Sequence, residues 1–339
     1  MSEPSRTLII AEAGVNHNGS LELALELVIA AKAGGADAVK FQTFNADRLV
    51  TRRAAKAAYQ KSALPGDDSQ YAMLKALELG EEDFRRISRY CQQARIEFLS
   101  SPFDTRAAEM LAGLGLRVFK IPSGEITNLP LLRHVGAMKK GVILSTGASW
   151  LGEVETAVRT LQAAGATRLT LLHCVTEYPA PAGQVNLRAM DTLRAAFGLP
   201  VGYSDHTSGI EMPIAAVARG ASVIEKHFTL DTNMPGPDHS ASLDPGDFAR
   251  MVSAIRTVET ALGDGLKRPA ACETENRDIV RKSVVAARDL PAGTRLTSDD
   301  LALKRPGGGL SPAALEGILG RTTRRNVAAE ELLDWSLLE

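Results

Sequence analysis

The amino-acid sequence predicts a (β/α)8 barrel followed by a small α+β module. Eight short β-branched or apolar runs alternate with amphipathic helical patterns over about 260 residues. Polar residues stand at the C-terminal ends of these runs, where a barrel carries its site, and the composition changes after Gly265. A doubly wound open sheet is the alternative. It usually has fewer strands, and no GxGxxG motif follows the first run.

The predicted strands are read directly from the apolar runs. In chain order they are residues 7–14, 37–44, 96–103, 117–124, 141–148, 169–175, 199–206 and 221–228. After the first run, Ser20 can cap a helix and the Gly34–Gly35 pair can end it. Leu21, Leu25, Val28 and Ala31 share one face of that helix. Further helical patterns cover residues 81–94, 104–115, 151–165, 209–220 and 244–263.

A long segment, residues 45–79, interrupts the connection from the second strand to its helix. It is rich in Ala, Lys and Arg and contains the turn-forming run 65–68. Long loops in compact domains are usually functional lids or disordered. We expect this segment to lie over the mouth of the barrel.

The domain organisation follows from the change in composition. We predict a catalytic barrel over residues 1–265, a polar linker containing Pro269 over residues 266–280, and a compact module over residues 281–339. A module of about 60 residues has a thin core and gains stability by docking on something larger.

Composition and charge exclude several classes of function. The formal net charge is −1 and 45% of the residues are hydrophobic, so neither nucleic acid nor an acidic membrane surface is expected as a partner. The N-terminus is too polar for a secretory signal, and no apolar run is long enough to span a bilayer. Cys91, Cys174 and Cys272 form no CxxC pair, which fits a reducing compartment. We therefore predict a cytoplasmic protein.

Two histidines mark the candidate site in the stretch 201–231. His206 follows one predicted strand, His227 ends the next, and an alanine-rich helix separates them. Parallel strands end on the same side of the sheet, so both imidazoles should emerge side by side. Two neutral imidazoles with open positions suit a divalent transition metal that also takes a substrate oxygen. The alternative is two unrelated surface or core histidines.

The other strand ends carry lysines, carboxylates and hydroxyls. Lys40 and Gln42 are two residues apart, so they point to the same side of their strand. Buried lysines are costly unless paired with an anion or a carboxylate. Small hydroxyls beside them make a phosphate site plausible, although each lysine alone could equally form a salt bridge. The polar strand-end residues are Glu12, Lys40, Gln42, Ser100, Ser101, Lys120, Ser123, Glu125, Ser145, Thr176, Tyr178, Ser204, His206, Glu225 and His227.

One other enzyme class uses a lysine in a barrel strand. Lys120 could form a Schiff base, as in an aldolase. The pair of histidines argues against this chemistry, because a metal would already polarise the carbonyl.

The motifs together resemble the sialic acid synthase family, which makes nonulosonic acids. The matching motifs are AEAGVNHNG (11–19), VKFQTF (39–44), KIPSGEI (120–126), LSTG (144–147), YSDHT (203–207), EKHFTLD (225–231), GPDHSASL (236–243) and KRPGGGL (304–310). The resemblance implies condensation of phosphoenolpyruvate with an N-acetylmannosamine-type sugar. It also implies a homodimer that exchanges a C-terminal antifreeze-like (SAF) domain, and manganese as cofactor, with magnesium or cobalt as alternatives.

The same resemblance assigns roles residue by residue. It makes His206 and His227 metal ligands, and Glu12 and Glu125 the carboxylates that handle protons. Phosphoenolpyruvate is implied to bind Lys40, Lys120, Ser123, Ser145 and Ser204. Sugar contacts are implied for Gln42, Thr176, Tyr178, Asp238 and Arg305, the last reaching from the other subunit. Phosphate would leave by C–O cleavage.

One position bears on which sugar is used. Thr176 stands where bacterial N-acetylneuraminate synthases typically carry Asn, and VTEYPAP (175–181) is more similar to legionaminate synthases. Their substrate is a 6-deoxy sugar with a second acetamido group. N-acetylmannosamine remains the alternative substrate, and pseudaminate synthase is a further option with less matching sequence near Tyr178.

A non-enzyme alternative is an inactive barrel that binds carbohydrate. Such a barrel should have lost metal or phosphate residues. None of the positions named above is missing, which favours the enzyme.

Overall fold

The computed structural model describes residues 6–64 and 66–339. The expectations that rest on residues 1–5 and Pro65 lie outside the described part. The barrel strands are β1 Leu8–Gly14, β2 Ala38–Thr43, β3 Glu97–Pro102, β4 Val118–Ile121, β5 Gly141–Ser145, β6 Arg168–His173, β7 Val201–Asp205 and β8 Val223–His227. Each lies inside its predicted run or extends it by one residue.

The eight strands form one parallel sheet in the order β3-β2-β1-β8-β7-β6-β5-β4. β1 pairs with both β2 and β8, so the first strand bridges the two halves of the sheet. β3 and β4, at the two ends of this order, are in contact. The sheet therefore curls into a nearly closed barrel, and the predicted (β/α)8 fold is confirmed.

Helices follow the strands around the barrel. They are α1 Leu21–Ala33, α2 Ala46–Leu49, α3 Ala58–Ala63, α4 Gln70–Leu77, α5 Glu81–Ala94, α6 Thr105–Gly113, α7 Leu129–Ala137, α8 Leu151–Ala164, α9 Ala189–Phe197, α10 Glu211–Ala218 and α11 Pro245–Leu262. Ser20 accepts a hydrogen bond from the Leu23 amide, as a cap should. α7 and α9 were not predicted from the sequence, although Asn128 caps the start of α7.

The barrel interior is layered by the two-residue period of its strands. An apolar layer contains Ile10, Ala38, Leu99, Ile143, Leu172 and Val223, contributed by six strands. Two residues further along these strands, on the same face, come Glu12, Lys40, Ser101, Ser145, Cys174 and Glu225. The apolar layer thus forms a dry floor, and polar side chains stand above it at the carboxyl ends of the strands.

The segment between β2 and α5 is not an open loop. It contains the three short helices α2, α3 and α4. Met73 and Leu77 of α4 pack with Val15 and Phe44 in a separate apolar cluster. This packing anchors the segment to the barrel loops.

The chain divides into two compact units, Met1–Gly263 and Asp264–Glu339. The second unit contains α12 Thr274–Val280, within the stretch predicted as linker, and then β9 Ser283–Ala286, β10 Leu301–Lys304 and α13 Leu315–Ile318. β9 and β10 pair antiparallel. Val284, Leu296, Ile318 and Leu333 belong to its own small core.

Within the described residues, no helix is long and apolar enough to cross a membrane.

Candidate active site

A cavity of about 370 Å³ opens at the carboxyl ends of the barrel strands. Most of the predicted site residues line it: Glu12, Lys40, Gln42, Lys120, Ser123, Ser145, Thr176, Tyr178, Ser204, His206, His227 and Asp238. They come from loops and strands distributed around the whole barrel. The inner-face period of the strands brings them to one place.

Two lysines and two carboxylates form the buried charged centre of this cavity. Lys40 Nζ lies 2.6 Å from Glu12 Oε2 and 3.8 Å from Glu225 Oε2. Lys120 Nζ lies 3.3 Å from Glu225 Oε1. Glu225 therefore lies between both ammonium groups, and the four charges balance before any anion enters. All four side chains are almost completely buried.

Burial and neighbouring charges set the protonation of these groups. Burial lowers the pKa of Lys120, which Glu225 only partly offsets. Burial also raises the pKa of Glu12, more than the Lys40 charge lowers it. Burial acts to lower the pKa of Lys40 too, but the charges of Glu12 and Glu225 together raise it. Glu12 thus holds a proton more readily than an ordinary carboxyl group.

The Ser123 hydroxyl is oriented by its neighbours. It accepts a hydrogen bond from the Gly147 amide at 2.9 Å and lies 3.1 Å from Cys174 Sγ. A Cβ on residue 147 would stand 2.3 Å from Thr176 Oγ1 and 2.8 Å from Ser123 Oγ, so only glycine allows this approach. With its oxygen occupied as an acceptor, Ser123 can donate its proton to a bound anion.

The other two predicted serines differ in their partners. Ser204 Oγ donates to Glu225 Oε1 at 2.9 Å, so it supports the carboxylate. Ser145 Oγ is buried and has no hydrogen-bond partner among residues 6–64 and 66–339. A buried hydroxyl without a partner is costly unless a ligand or water satisfies it. Ser145 is therefore a donor available to substrate.

The two predicted metal ligands lie together. The ring centroids of His206 and His227 are 5.3 Å apart. His206 Nδ1 lies 2.5 Å from the Val175 carbonyl oxygen, so it is the protonated nitrogen and Nε2 keeps a free lone pair. His227 Nδ1 is buried and has no hydrogen-bond partner within the described chain. Burial lowers the pKa of both rings.

This pair fits a divalent ion. Neutral imidazoles with unused lone pairs are the usual nitrogen ligands of transition metals. No group of three or more His, Cys, Asp and Glu side chains in residues 6–64 and 66–339 could hold an ion. A bound ion would therefore take its other ligands from water and substrate, which leaves positions open for chemistry.

Asp238 and Tyr178 complete the side of the cavity next to the imidazoles. Asp238 Oδ2 lies 3.8 Å from His227 Nδ1. Burial, with the charge of Glu12, raises the pKa of Asp238 to about 7. The Tyr178 ring lies 4.2 Å from the His206 ring, centroid to centroid. On the neighbouring strands β1 and β2, Gln42 Nε2 donates to Glu12 Oε1 at 3.1 Å.

Two predicted site residues do not line this cavity. Glu125 Oε2 accepts a hydrogen bond from Asn128 at 2.6 Å, and burial raises the pKa of Glu125. Arg305 is exposed and follows β10 in the second unit. Their assigned roles stay predictions.

The structure adds residues to which the sequence analysis gave no role. Glu225 had been noted only as a strand-end residue; it precedes His227 by two positions, and the two-residue period could have placed it in the site. From α3 and α4 come Tyr59, Gln60, Gln70, Met73, Leu74 and Leu77, which also line the cavity. The inserted segment therefore lies at the barrel mouth, as expected. Nothing in its sequence had indicated which of its side chains would line the cavity.

Two family models match this chain. The NeuB family model matches residues 27–267, and the SAF domain model matches residues 281–339.

Named relatives match over nearly the whole chain. An N,N'-diacetyllegionaminic acid synthase of Campylobacter jejuni subsp. jejuni serotype O:2 is 49% identical over 330 residues, which cover 97% of this chain and 99% of the relative. A protein of the same name from Legionella pneumophila is 50% identical over 98% of this chain and 94% of its own length. The crystal structure of an N-acetylneuraminic acid (sialic acid) synthetase from Leptospira borgpetersenii serovar Hardjo-bovis, in complex with citrate, matches with a TM-score of 0.70 at 35% identity. It covers 80% of this chain and 90% of that one.

Proposed function

The chain belongs to the NeuB family, and we propose that it condenses phosphoenolpyruvate with 2,4-diacetamido-2,4,6-trideoxymannose. A C–C bond forms between C3 of phosphoenolpyruvate and the aldehyde carbon of the sugar. The oxygen of one water adds at C2, and the bond between C2 and the bridging oxygen breaks. That oxygen leaves with the phosphate. The products are N,N'-diacetyllegionaminic acid and inorganic phosphate.

The observation that carries the proposal is the division of one cavity into two chemical sides. Lys40 and Lys120 lie on β2 and β4, with the Ser123 and Ser145 hydroxyls following β4 and ending β5. His206 directly follows β7, His227 ends β8, and both line the same cavity. An anionic three-carbon donor suits the lysine side. A sugar aldehyde suits the imidazole side.

The chain's own groups account for donor binding. The carboxylate and phosphate of phosphoenolpyruvate would bind the two ammonium groups, which Glu12 and Glu225 hold in the cavity. Ser145 would donate to the anion's oxygens, since its hydroxyl has no partner within the described residues. Ser123 would donate as well, exchanging its contact with Cys174 Sγ for the anion. The apolar floor below them keeps water out, which strengthens these contacts.

His206 and His227 would hold a divalent ion, for which we propose manganese. Such an ion supplies Lewis acidity that polarises an aldehyde carbonyl. Proton movement falls to the buried carboxyl groups: the aldehyde oxygen gains one proton and the added water loses one. Glu12 stands beside Gln42 and Lys40 and has a raised pKa, which suits a group that gives and takes a proton. Glu125 is the second candidate.

Two observations support the proposed sugar, one from relatives and one from the cavity. The nearly full-length relatives named above are N,N'-diacetyllegionaminic acid synthases. Thr176 lines the cavity, and a methyl-bearing side chain suits a less hydroxylated sugar. N-acetylmannosamine, giving N-acetylneuraminate, is the alternative.

Assembly is proposed on the family resemblance. We propose a homodimer in which Arg305 of one subunit reaches the sugar in the other. Leu266, Ile279 and Val280 of the second unit are exposed apolar side chains, which a partner subunit could cover. The cytoplasmic location stays a prediction from the scattered cysteines.

The test is phosphate release from phosphoenolpyruvate with each amino sugar, in water enriched in ¹⁸O and with manganese present. We expect release with the diacetamido sugar, label in the sugar acid and none in the phosphate. Label in the phosphate would exclude C–O cleavage. Release without any sugar would indicate a phosphatase, and borohydride trapping at Lys120 would indicate an aldolase.

A further inference from the structure

The inserted segment contributes an aromatic ring to the sugar side of the cavity. Tyr59, on α3, lies over Tyr178 with ring centroids 4.9 Å apart and an interplanar angle of 32°. Tyr178 in turn lies over His206 at 4.2 Å. Three rings from three separate elements therefore form one stack. The outermost ring, Tyr59, lines the cavity.

The hydroxyl of Tyr59 is held ready to donate a hydrogen bond. Gln60 Nε2 donates to the Tyr59 oxygen at 3.3 Å. Gln60 Oε1 accepts from the Ala57 amide at 2.9 Å, which fixes the Gln60 side chain at the start of α3. The Tyr59 oxygen is thus occupied as an acceptor, and its own proton is free for a ligand. Burial raises the pKa of Tyr59, which keeps that proton on the oxygen.

The same segment supplies an apolar wall. Met73 and Leu74 of α4 line the cavity. Met73 is buried against Val15 and Phe44, so its position is set by packing with the barrel loops. A wall of thioether and aliphatic groups favours a methyl group and leaves a hydroxyl without a partner.

We propose that Tyr59 is a specificity-determining residue that selects a sugar with a second acetamido group. Its O–H donates to the carbonyl oxygen of that acetamido group, while Met73 and Leu74 face the deoxygenated methyl carbon. N-acetylmannosamine carries a hydroxyl where the other sugar has its second acetamido group and another where it has its methyl group. The second hydroxyl would face Met73 and Leu74 without a hydrogen-bond partner. This inference rests on the proposed function and specifies which side chains choose the substrate.

The test compares Tyr59→Phe with the wild-type enzyme on both sugars. The quantity measured is the ratio of kcat/KM for the diacetamido sugar to that for N-acetylmannosamine. If N-acetylmannosamine turns over too slowly, the reciprocal of its inhibition constant replaces its kcat/KM. We expect Tyr59→Phe to lower the ratio at least about fivefold, because one buried hydrogen bond is lost. The KM for phosphoenolpyruvate should stay unchanged.

Tyr71→Phe is the matched control. Tyr71 lies on α4 of the same segment, but its hydroxyl donates to Asp47 and it does not line the cavity. Its ratio should equal that of the wild type. Tyr59→Ala, which also removes the stacked ring, should lower the ratio at least as much as Tyr59→Phe.

An unchanged ratio in Tyr59→Phe, or an equal loss for both sugars, overturns the inference. A wild-type preference for N-acetylmannosamine overturns it too. If the wild type releases no phosphate with either sugar, the proposed function itself fails, and the inference fails with it. This last result is distinguishable because it appears before any variant is made.

Discussion

Lys226 Nζ lies 2.5 Å from Asp205 Oδ2, and neither side chain is accessible to solvent. Lys226 also donates to the Thr207 carbonyl oxygen. Asp205 accepts from the Tyr203 hydroxyl at 2.8 Å and from the Thr207 amide at 3.0 Å. Asp205 precedes His206 and Lys226 precedes His227, so this ion pair joins β7 and β8 directly behind the two imidazoles.

Breaking this pair should destabilise the barrel strongly. Asp205→Ala leaves the Lys226 ammonium buried without its carboxylate, and we expect a loss of about 3–5 kcal/mol in the free energy of unfolding. Urea unfolding followed by circular dichroism measures it. The double variant Asp205→Leu with Lys226→Met removes both charges and should recover part of that loss, since the Tyr203 hydroxyl and the Thr207 amide still lack their acceptor. Equal stability of Asp205→Ala and the wild type would contradict the prediction.

Lys120 is expected to act on phosphoenolpyruvate and not on the sugar. Lys120→Met removes a charged donor from the anion side, so the KM for phosphoenolpyruvate should rise about 10- to 150-fold. The KM for the sugar should change little. Steady-state phosphate release at varied concentrations of each substrate separates the two effects. Lys140→Met is the control, because Lys140 precedes β5 at the opposite end of the barrel.

Removal of one imidazole should weaken metal binding directly. We expect His227→Gln to lower manganese affinity at least about tenfold, since changes to residues that only support a ligand already cost that much. Manganese bound per chain after dialysis, measured by elemental analysis, reports this without any activity assay. His134→Gln, which alters a partly exposed histidine on α7, should bind manganese like the wild type. Full manganese occupancy in His227→Gln would exclude His227 as a ligand.

His17 should make the protein less stable as the pH falls. Burial lowers the pKa of His17 from 6.5 to about 4, and its Nδ1 already accepts from the Gly19 amide. Above pH 6.5 both folded and unfolded rings are neutral. Between pH 6.5 and about 4 only the unfolded ring takes up a proton, so stability declines by up to about 3 kcal/mol.

The measurement for His17 is chemical unfolding of the wild type and His17→Gln at several pH values. The difference in free energy of unfolding between the two proteins should change across this window and be constant above it. A difference that does not vary with pH would show that His17 titrates normally in the folded protein.

Much of the site could be predicted from the chain because strand periodicity is local. Lys40 and Gln42, Ser204 and His206, or Glu225 and His227 are each two residues apart, so a strand presents both members of a pair on one face. The helix of residues 21–33 was equally predictable from its Ser20 cap and its closing glycines. By contrast, α7 and α9 were missed, although α7 carries a capping Asn128 and an early proline.

The sequence by itself determined eight strand–helix repeats, the side chains that face the barrel interior, and the family to which its motifs belong. Only the tertiary structure decided that Lys40 and Lys120 share Glu225, and that Tyr59 lies over Tyr178. Periodicity along a strand specifies a direction for each side chain, but it carries no distance between strands on different sides of a barrel. That distance depends on how the sheet curls and how the inserted helices pack, which many weak contacts along the whole chain decide together.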